Sequence, residues 1–214
     1  MTAHNAQLLA PQVAQAHYFR RKYLRPARMA AYGYQLQELL AVSPDSVLEL
    51  GIGSGFVAYG LRRGGLAVTT LDLDPALEPN VVGSVTDLPF PDGSYDVIGC
   101  FEVLEHVPWS LVPVGLSEIH RVCRRCAVIS LPDARTAIRV HIPVVLRRQL
   151  FNQPFWRPNE HGFDGEHYWE INKKGYLLEE VMACLTEPGF RVGRTFRPWE
   201  MSRHRFFRLE KIDQ

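Results

Sequence analysis

The sequence predicts an α/β fold built around a mostly parallel β-sheet. From Val47 to Leu131, apolar strand patterns alternate with helical patterns, which is the order that builds parallel sheets with right-handed crossovers. The first strand pattern runs directly into a glycine-rich turn, as is typical of a ligand-binding turn that opens a helix. Two further strand patterns, at 190–197 and 204–211, close the chain.

Length and composition predict one domain over residues 1–214. The chain has 214 residues, of which 46% are hydrophobic and 22% charged, an ordinary globular composition. The formal charge of +1 gives no global attraction to nucleic acid, so nucleic acid is not an expected partner. Four scattered cysteines and the lack of a signal-peptide pattern favour the cytoplasm. No apolar run reaches the ~20 residues that span a bilayer.

The elements follow in order along the chain. Residues 5–40 predict a helical, partly amphipathic N-terminal segment, with Leu36, Leu39 and Leu40 spaced for one buried face. The alternating region then predicts strands at 47–50, 67–72, 81–83, 96–100 and 126–131, and helices at 56–63 and 110–122. A last helix is expected at 175–187, before the two closing strands.

Residues 132–172 interrupt this regularity and are expected to form an insertion on the substrate side. The segment leaves the carboxyl end of strand 126–131, and ligands in open α/β sheets bind beyond the carboxyl ends of the strands. It contains the aromatic residues Phe151, Phe155, Trp156, Phe163, Tyr168 and Trp169 and histidines at 141, 161 and 167. These aromatic side chains can line the acceptor site or form the small core of a lid.

The glycine-rich turn alone permits two interpretations. Gly53-x-Gly55-x-x-Ala58 satisfies the dinucleotide fingerprint, and Asp72 follows Gly53 by 19 residues, near the spacing of a ribose-binding acid. However, Glu49 places a carboxyl inside the strand, where a NAD site needs only apolar residues. A carboxyl at this position suits a cationic amino-acid ligand.

The pattern Glu49-x-Gly51-x-Gly53-x-Gly55 resembles the first motif of the class I S-adenosylmethionine (SAM) methyltransferases. Three further segments resemble later motifs of that family in the same order: 68–75, 81–90 and 92–107. The resemblance implies a three-layer Rossmann-like methyltransferase fold, in which a seven-stranded, mostly parallel sheet carries an antiparallel C-terminal hairpin strand. It also implies that the N-terminal segment, about residues 5–40, acts as a cover, with the run 17–23 folding over the same opening as the insertion.

The resemblance assigns roles within the cofactor site. Glu49 lies near the methionine ammonium, the glycines pack under the cofactor, and Asp72, with Asp74 second, holds the ribose hydroxyls. Ser84 stands where the family usually has an acid near the adenine, which leaves Ser84 or Asp87 to contact the adenine amino group. The full set of expected cofactor-binding residues is Glu49, Gly51, Gly53, Gly55, Asp72, Leu73, Ser84, Val85, Asp87 and Phe101.

Methyl transfer from a sulfonium is an in-line displacement, so positioning and exclusion of water can supply most of the catalysis. A hydroxyl acceptor also needs a proton acceptor, and His106, just beyond the fourth strand, is the expected base. Glu105 and His167 are the other catalytic candidates. The alternative for His106 is that it caps or packs against the following helix.

Glu102-x-x-Glu105-His106 and the downstream His167-x-Trp-Glu resemble the metal-dependent O-methyltransferases of ubiquinone biosynthesis and the small-RNA 3′-terminal 2′-O-methyltransferases. The matching residues would be Glu102, Glu105, His106 and His167, a set that suits Mg²⁺ or Mn²⁺. Relatives without a metal share the same pattern. In that case Glu102 lies near the cofactor, Glu105 is solvated or paired, and His167 packs among aromatic side chains.

The sequence thus predicts a SAM-dependent methyltransferase acting on oxygen or nitrogen of a small-molecule substrate, with an aromatic or glycosylated metabolite preferred. The alternatives are metal-assisted methylation of a 2′-type hydroxyl on RNA or glycan, and a non-catalytic SAM-binding partner subunit. A NAD-dependent oxidoreductase is the third alternative. The sequence makes no prediction of oligomeric state.

Overall fold

A computed structural model describes residues 11–135, 137–142, 146–151 and 158–212, the two shortest ranges as backbone alone. The central sheet consists of β1 (Ser46–Leu50), β2 (Ala67–Asp72), β3 (Val81–Val82), β4 (Tyr95–Phe101), β5 (Cys123–Pro132), β8 (Phe190–Phe196) and β9 (His204–Lys211). Its strand order is β3-β2-β1-β4-β5-β9-β8. The first five strands pair in parallel, whereas β9 pairs antiparallel with both β5 and β8. The predicted seven-stranded sheet with an antiparallel hairpin is confirmed.

The helices are α1 (Pro26–Leu40), α2 (Phe56–Arg63), α3 (Val112–Val122) and α4 (Leu178–Thr186). Two apolar clusters hold them to the sheet. One packs Leu116 and Ile119 of α3 and Val181 of α4 against the sheet, and the other packs α1 and α2 against the strands. Both faces of the parallel strands are therefore covered, which explains why β1, β4 and β5 are apolar along most of their length.

The N-terminal segment departs from the prediction of a helix over 5–40. Within the described part, residues 11–25 form two short 3₁₀ turns, at Gln15–His17 and Arg21–Leu24, and α1 begins only at Pro26. Proline is favoured at the first position of a helix, and it forces the preceding Arg25 into an extended conformation with ψ of 150°. The predicted buried face was also partly wrong, since Leu39 is buried but Leu40 is 46% exposed.

The insertion after β5 contributes a separate two-stranded antiparallel hairpin, β6 (Ala137–Ile142) and β7 (Leu146–Phe151), which the sequence did not predict. Two of its expected aromatic residues, Phe155 and Trp156, lie outside the described residues, and of Phe151 and His141 only the backbone is described. The two ends of the insertion are joined, because Asn172 Nδ2 donates to Asp133 Oδ1 at 2.8 Å. Arg205 of β9 donates to the other oxygen of Asp133 at 2.8 Å, which ties this junction to the sheet.

Candidate active site

A cavity of about 700 Å³ opens at the carboxyl ends of β1, β2, β4 and β5. Leu50, Asp72, Phe101 and Pro132, which end these four strands, all line it. The N-terminal turns form another part of its wall, since His17, Tyr18, Lys22 and Tyr23 line it. This location agrees with the general rule that open α/β sheets bind ligands beyond the carboxyl ends of their strands.

The glycine turn between β1 and α2 lines the floor of the cavity through Gly51 and Gly53. Gly51, Gly53 and Gly55 all have positive φ, at 77°, 50° and 71°, a conformation that glycine adopts without steric cost. A Cβ at Gly51 would also collide with the side chain of Val103. Gly55 directly precedes α2 and is not among the lining residues, so its role is to turn the chain into the helix.

Glu49 lies at the cavity with a buried carboxyl that lacks a complete set of partners. The residue is 3% exposed, it accepts a hydrogen bond from the backbone N–H of Ala58, and its Oε2 has no partner among the described residues. Burial raises the pKa of Glu49 to about 8. An unpartnered carboxyl oxygen in a ligand cavity is the arrangement expected where a cationic ligand supplies the missing partner.

Asp72 lines the cavity at the end of β2 and is held in place by backbone donors. Its Oδ2 accepts from Ile52 N, and its Oδ1 accepts from Asp74 N, each at 2.9 Å. Burial raises the pKa of Asp72, and these backbone hydrogen bonds oppose the increase. The carboxylate is therefore fixed beside the glycine turn with lone pairs left for a ligand.

The remaining expected cofactor-binding residues, which include the two candidates for the adenine contact, divide into two groups. Leu73, Ser84, Val85 and Phe101 line the cavity, whereas Asp87 is exposed and does not. The backbone N–H of Asp87 donates to Ser84 O at 3.1 Å and closes a tight turn that leaves Asp87 on the outside. Of the two residues left open for the adenine contact, the structure therefore brings only Ser84 to the cavity.

The cover is fastened to the glycine turn by aromatic side chains. The Tyr18 ring lies 3.4 Å from the position a Cβ would occupy on Gly53. Tyr32 of α1 stacks on Phe56 with ring centroids 4.8 Å apart, and its hydroxyl lies 2.9 Å from Ser54 Oγ. The cover thus forms a wall directly over the predicted cofactor position.

His106 lies on a 3₁₀ turn (Leu104–His106) after β4, where it lines the cavity. Its Nδ1 lies 2.8 Å from the carbonyl oxygen of Glu166, so Nδ1 carries the proton that this acceptor requires. Burial lowers the pKa of His106 below the usual histidine range. The ring is therefore neutral near pH 7, and Nε2 holds the lone pair that can accept a proton.

His167 reaches the same place from the insertion, and its ring centroid lies 5.1 Å from that of His106. Burial opposes its protonation, but the hydrogen bond to Glu170 and the charges of Glu170 and Asp164 outweigh burial and raise the pKa of His167. Its Nδ1 lies 3.0 Å from Glu170 Oε1. A hydrogen bond from one ring nitrogen of a histidine to a carboxylate holds the ring in one orientation.

Buried Trp169 explains how the insertion brings His167 to His106. Trp169 has no exposed surface, and its Nε1–H donates to the carbonyl oxygens of Leu104 and Val107 at 3.0 and 3.1 Å. Tyr168 N also donates to Glu105 O at 2.8 Å. These bonds fasten the insertion to the turn that carries His106. Phe163, Tyr168 and Trp169 are not among the lining residues, so the described aromatic residues of the insertion do not form the acceptor wall.

Glu105 completes a group of three possible ligands. One ligand atom from each of Glu105, His106 and His167 lies within 4.8 Å of the others. Glu105 is fully buried, and neither carboxyl oxygen has a partner among the described residues, so it is neither solvated nor paired. Burial, followed by the nearby charge of Glu102, raises the pKa of Glu105 well above its usual range.

Glu102 is separate from this group, although the sequence placed all four residues together. It has a positive φ of 54°, accepts a hydrogen bond from Ser130 Oγ at 2.8 Å, and has Oε1 3.2 Å from His204 Nδ1. Although the spacing Glu102-x-x-Glu105-His106 would place all three side chains on one helical turn, the chain leaves β4 through this left-handed residue, and only Glu105 and His106 share the 3₁₀ turn. Burial opposes ionisation of Glu102, but the contact with His204 outweighs it and lowers the pKa of Glu102.

Sequence reasoning missed several residues of the cavity wall, among them Arg28, Tyr32, Glu166 and His204. Tyr32 and Arg28 share one face of α1 at helical spacing, so the 3.6-residue period could have indicated their common direction. No local signal identifies His204, which reaches the cavity only because β9 pairs beside β5.

Residues 48–131 match the family described as the methyltransferase domain. The match spans all four motifs and agrees with their resemblance to the methyltransferases, and the order of the strands in the sheet agrees with it as well. Within the described residues, no helix is long and apolar enough to cross a membrane.

The chain is similar in sequence to two curated methyltransferases and in fold to one solved structure. The ubiquinone biosynthesis O-methyltransferase of Xanthomonas campestris pv. campestris (strain B100) is 35% identical over 108 residues, which cover 44% of this chain and 41% of that protein. The malonyl-[acyl-carrier protein] O-methyltransferase of Serratia marcescens is 33% identical over 96 residues, covering 40% and 36%. The chain thus spans about two fifths of the length of these relatives.

The solved structure is the 1,6-didemethyltoxoflavin-N1-methyltransferase of Burkholderia thailandensis with bound 1,6-didemethyltoxoflavin and S-adenosylhomocysteine. It superposes with a TM-score of 0.59 at 18% identity and covers 95% of this chain and 93% of that chain. At this identity the superposition shows similarity of fold alone, and that similarity covers nearly the whole chain.

Proposed function

We propose that this protein transfers a methyl group from SAM to an oxygen or nitrogen atom of a small-molecule acceptor. The observation that carries the proposal is the pairing of buried Glu49 with backbone-held Asp72 beside one glycine turn. SAM combines an ammonium with two vicinal ribose hydroxyls, and these two carboxyl groups supply an acceptor for each kind of donor. SAM, when bound, supplies the electrophilic methyl group.

The protein's own contribution is to orient the acceptor, exclude water and handle a proton. The cover at 17–23 closes one side of the cavity, and the insertion closes another through Glu166, His167 and Glu170. Neutral His106 can accept the proton of an acceptor hydroxyl at Nε2, because its Nδ1–H is committed to Glu166 O. His167, with its raised pKa, is the group better suited to donate a hydrogen bond to the acceptor.

An oxygen acceptor on an aromatic or glycosylated metabolite is the preferred class. Both curated relatives are named O-methyltransferases, which supports oxygen. Tyr23 lines the cavity outside the expected cofactor-binding set and provides flat apolar surface for a ring. Support for an aromatic acceptor thus comes from the cover instead of the insertion.

The test is release of S-adenosylhomocysteine from SAM with a panel of catechols, phenols and glycosides. We expect at least one acceptor to increase product release above the acceptor-free rate, and His106→Gln to remove most of that increase. The variant Glu187→Gln, at the exposed position directly after α4, is the surface control. If the protein binds S-adenosylhomocysteine but turns over none of the panel, the result favours a SAM-binding subunit without chemistry.

A second candidate is metal-assisted methylation of a 2′-type or vicinal hydroxyl, and one observation favours it. Glu105, His106 and His167 converge, and the unpartnered buried oxygens of Glu105 fit a cation as their missing partner. Mg²⁺ or Mn²⁺ would polarise an acceptor hydroxyl there. The hydrogen bond between Glu170 and His167 Nδ1 would orient the His167 ring toward the ion.

Isothermal titration of the purified protein with MnCl₂ tests the metal independently of turnover. We expect the wild-type protein to bind Mn²⁺ and Glu105→Gln to remove this binding. Glu102→Gln changes a residue outside the group of three and should weaken Mn²⁺ binding less. Absence of Mn²⁺ binding together with chelator-insensitive turnover would eliminate this candidate and leave His106 as the base.

A further inference from the structure

The N-terminal part of this chain is strongly basic, although the whole chain is nearly neutral. Residues 1–37 contain five arginines and lysines and no aspartate or glutamate, whereas residues 64–105 contain eight carboxyl side chains and no arginine or lysine. Four of the five cations, Arg20, Arg21, Lys22 and Arg25, fall within six residues of the cover. The formal net charge of +1 therefore conceals a separation of charge along the chain.

The same stretch, residues 19–25, exposes large apolar side chains. We call it the basic turn. Phe19 is 64% exposed and Leu24 is 70% exposed, and all four cations are exposed as well. None of these four forms an ion pair with another described residue, whereas Arg121, Arg191 and Arg194 elsewhere are paired with carboxylates. Unpaired cations beside exposed aromatic and aliphatic side chains suit a surface that is both anionic and apolar.

The basic turn lies at the mouth of the cavity. Lys22, Tyr23 and Arg25 line the cavity, while Phe19 and Leu24 in the same turn face solvent. A surface that engaged Phe19 and Leu24 would therefore lie next to the route by which an acceptor enters.

We propose that the basic turn docks this protein on the surface of an anionic phospholipid bilayer, with Phe19 and Leu24 inserted among the headgroups, Arg20 and Arg21 against lipid phosphates, and Lys22 and Arg25 at the edge of the turn that lines the cavity. Clusters of four or more basic residues with neighbouring apolar side chains bind anionic membranes through both forces together. Nucleic acid shares the anionic charge, but Phe19 and Leu24 favour the bilayer, because a phosphate backbone offers no apolar layer for an aliphatic side chain.

This docking goes beyond methyl transfer and does not depend on it. Combined with the proposed methyl transfer, on which this one step rests, docking favours a lipophilic acceptor that partitions into membranes, because the cavity mouth would lie against the bilayer.

Vesicle sedimentation of the S-adenosylhomocysteine-loaded protein tests the proposal. The probes are phosphatidylcholine vesicles containing about 30% phosphatidylglycerol and vesicles of phosphatidylcholine alone. We expect binding to the anionic vesicles that weakens with salt and little binding to the neutral ones. Arg20→Gln with Arg21→Gln should reduce the partition coefficient about tenfold to thirtyfold, because each cation near such a surface contributes roughly a fivefold factor.

Matched variants separate docking from general charge and from folding. Arg63→Gln with Lys174→Gln removes the same charge from exposed positions elsewhere and should leave partitioning nearly unchanged. Phe19→Ser should weaken binding, whereas Phe163→Ser, at a residue 53% exposed on the insertion, should not. Unchanged S-adenosylhomocysteine affinity in all variants shows that they fold.

Three outcomes would overturn the proposal: no preference for anionic vesicles, equal loss in the basic-turn and control variants, or tighter binding to a single-stranded RNA oligonucleotide that vesicles do not displace. None of these outcomes bears on SAM binding. A protein that ignores vesicles but binds S-adenosylhomocysteine loses only the membrane proposal.

Discussion

Replacing Glu49 with glutamine should stabilise the ligand-free protein and weaken cofactor binding at the same time. Burial raises the pKa of Glu49 to about 8 from an ordinary 4.5, so the folded state disfavours the ionised carboxyl. Because the folded pKa lies above the unfolded one, this effect is absent below pH 4.5 and costs progressively more stability as pH rises toward 8. At pH 7, the cost is on the order of 3 kcal/mol as an upper bound, and glutamine removes it.

Glu49→Gln should have the opposite effect on cofactor binding, which it should weaken. An ammonium ligand needs the ionised carboxylate, so affinity of the wild-type protein for S-adenosylhomocysteine should fall about tenfold for each pH unit from 7 to 5.5. In Glu49→Gln, affinity should be lower at pH 8, and this pH dependence should disappear. The side-chain oxygen of the introduced glutamine can still accept the Ala58 N–H, so the local backbone should keep its position.

Urea denaturation at pH 5 and pH 7.5 measures the stability difference, and isothermal titration between pH 5.5 and 8 measures the affinity. Glu187→Gln, an exposed substitution of the same kind, should change neither. The reasoning fails if Glu49→Gln destabilises the ligand-free protein at pH 7.5 or binds S-adenosylhomocysteine as tightly as the wild type.

Three further substitutions test other parts of the site. Asp72→Asn should weaken S-adenosylhomocysteine binding by about 1.5–3 kcal/mol in isothermal titration, because charged hydrogen bonds to the ribose are lost; unchanged affinity would remove Asp72 from the ribose site. Gly51→Ala should destabilise the protein to urea by at least about 1 kcal/mol more than Gly65→Ala, since both residues have positive φ but only Gly51 has Val103 against its missing Cβ. His106→Gln should lower kcat more than it changes KM, and wild-type kcat should fall as pH drops below the usual histidine range, where Nε2 becomes protonated. An equal loss of folding stability and activity in His106→Gln would instead support a packing role.

Much of the fold could be predicted because the informative signals are local. The bounds of α2 and β2 were predicted to the residue, since Arg63 is followed by two glycines and β2 ends in Asp72. Helical periodicity alone predicted a helix where the cover forms turns. The pattern fails there because Pro26 begins the helix and holds the preceding Arg25 in an extended conformation. The proposed cofactor-binding residues Glu49, Gly51 and Asp72 lie within one β1-turn-α2-β2 stretch, so short-range spacing was enough to predict that they would line one cavity.

The acceptor side depends on contacts between distant segments. His106 and His167 are 61 positions apart, and the buried indole of Trp169 fixes their approach by hydrogen bonds to the turn at Leu104 and Val107. A pattern can suggest that such residues cooperate, but it cannot show that Glu102 turns away toward Ser130 and His204. Glu102 is separated from Glu105, His106 and His167 by its left-handed backbone conformation. The sequence gives no signal for this conformation, because the position is neither glycine nor asparagine.

The most direct test of the cofactor assignment is thermal melting with SAM, S-adenosylhomocysteine and NAD(H) in parallel, each with and without Mg²⁺. A ligand at 100 times its dissociation constant adds about 2.7 kcal/mol to the stability of the state that binds it. We predict a clear increase in Tm with SAM and S-adenosylhomocysteine and none with NAD(H). An increase with NAD(H) alone would show that the glycine turn serves a dinucleotide and would contradict the assignment of Glu49 and Asp72 to SAM.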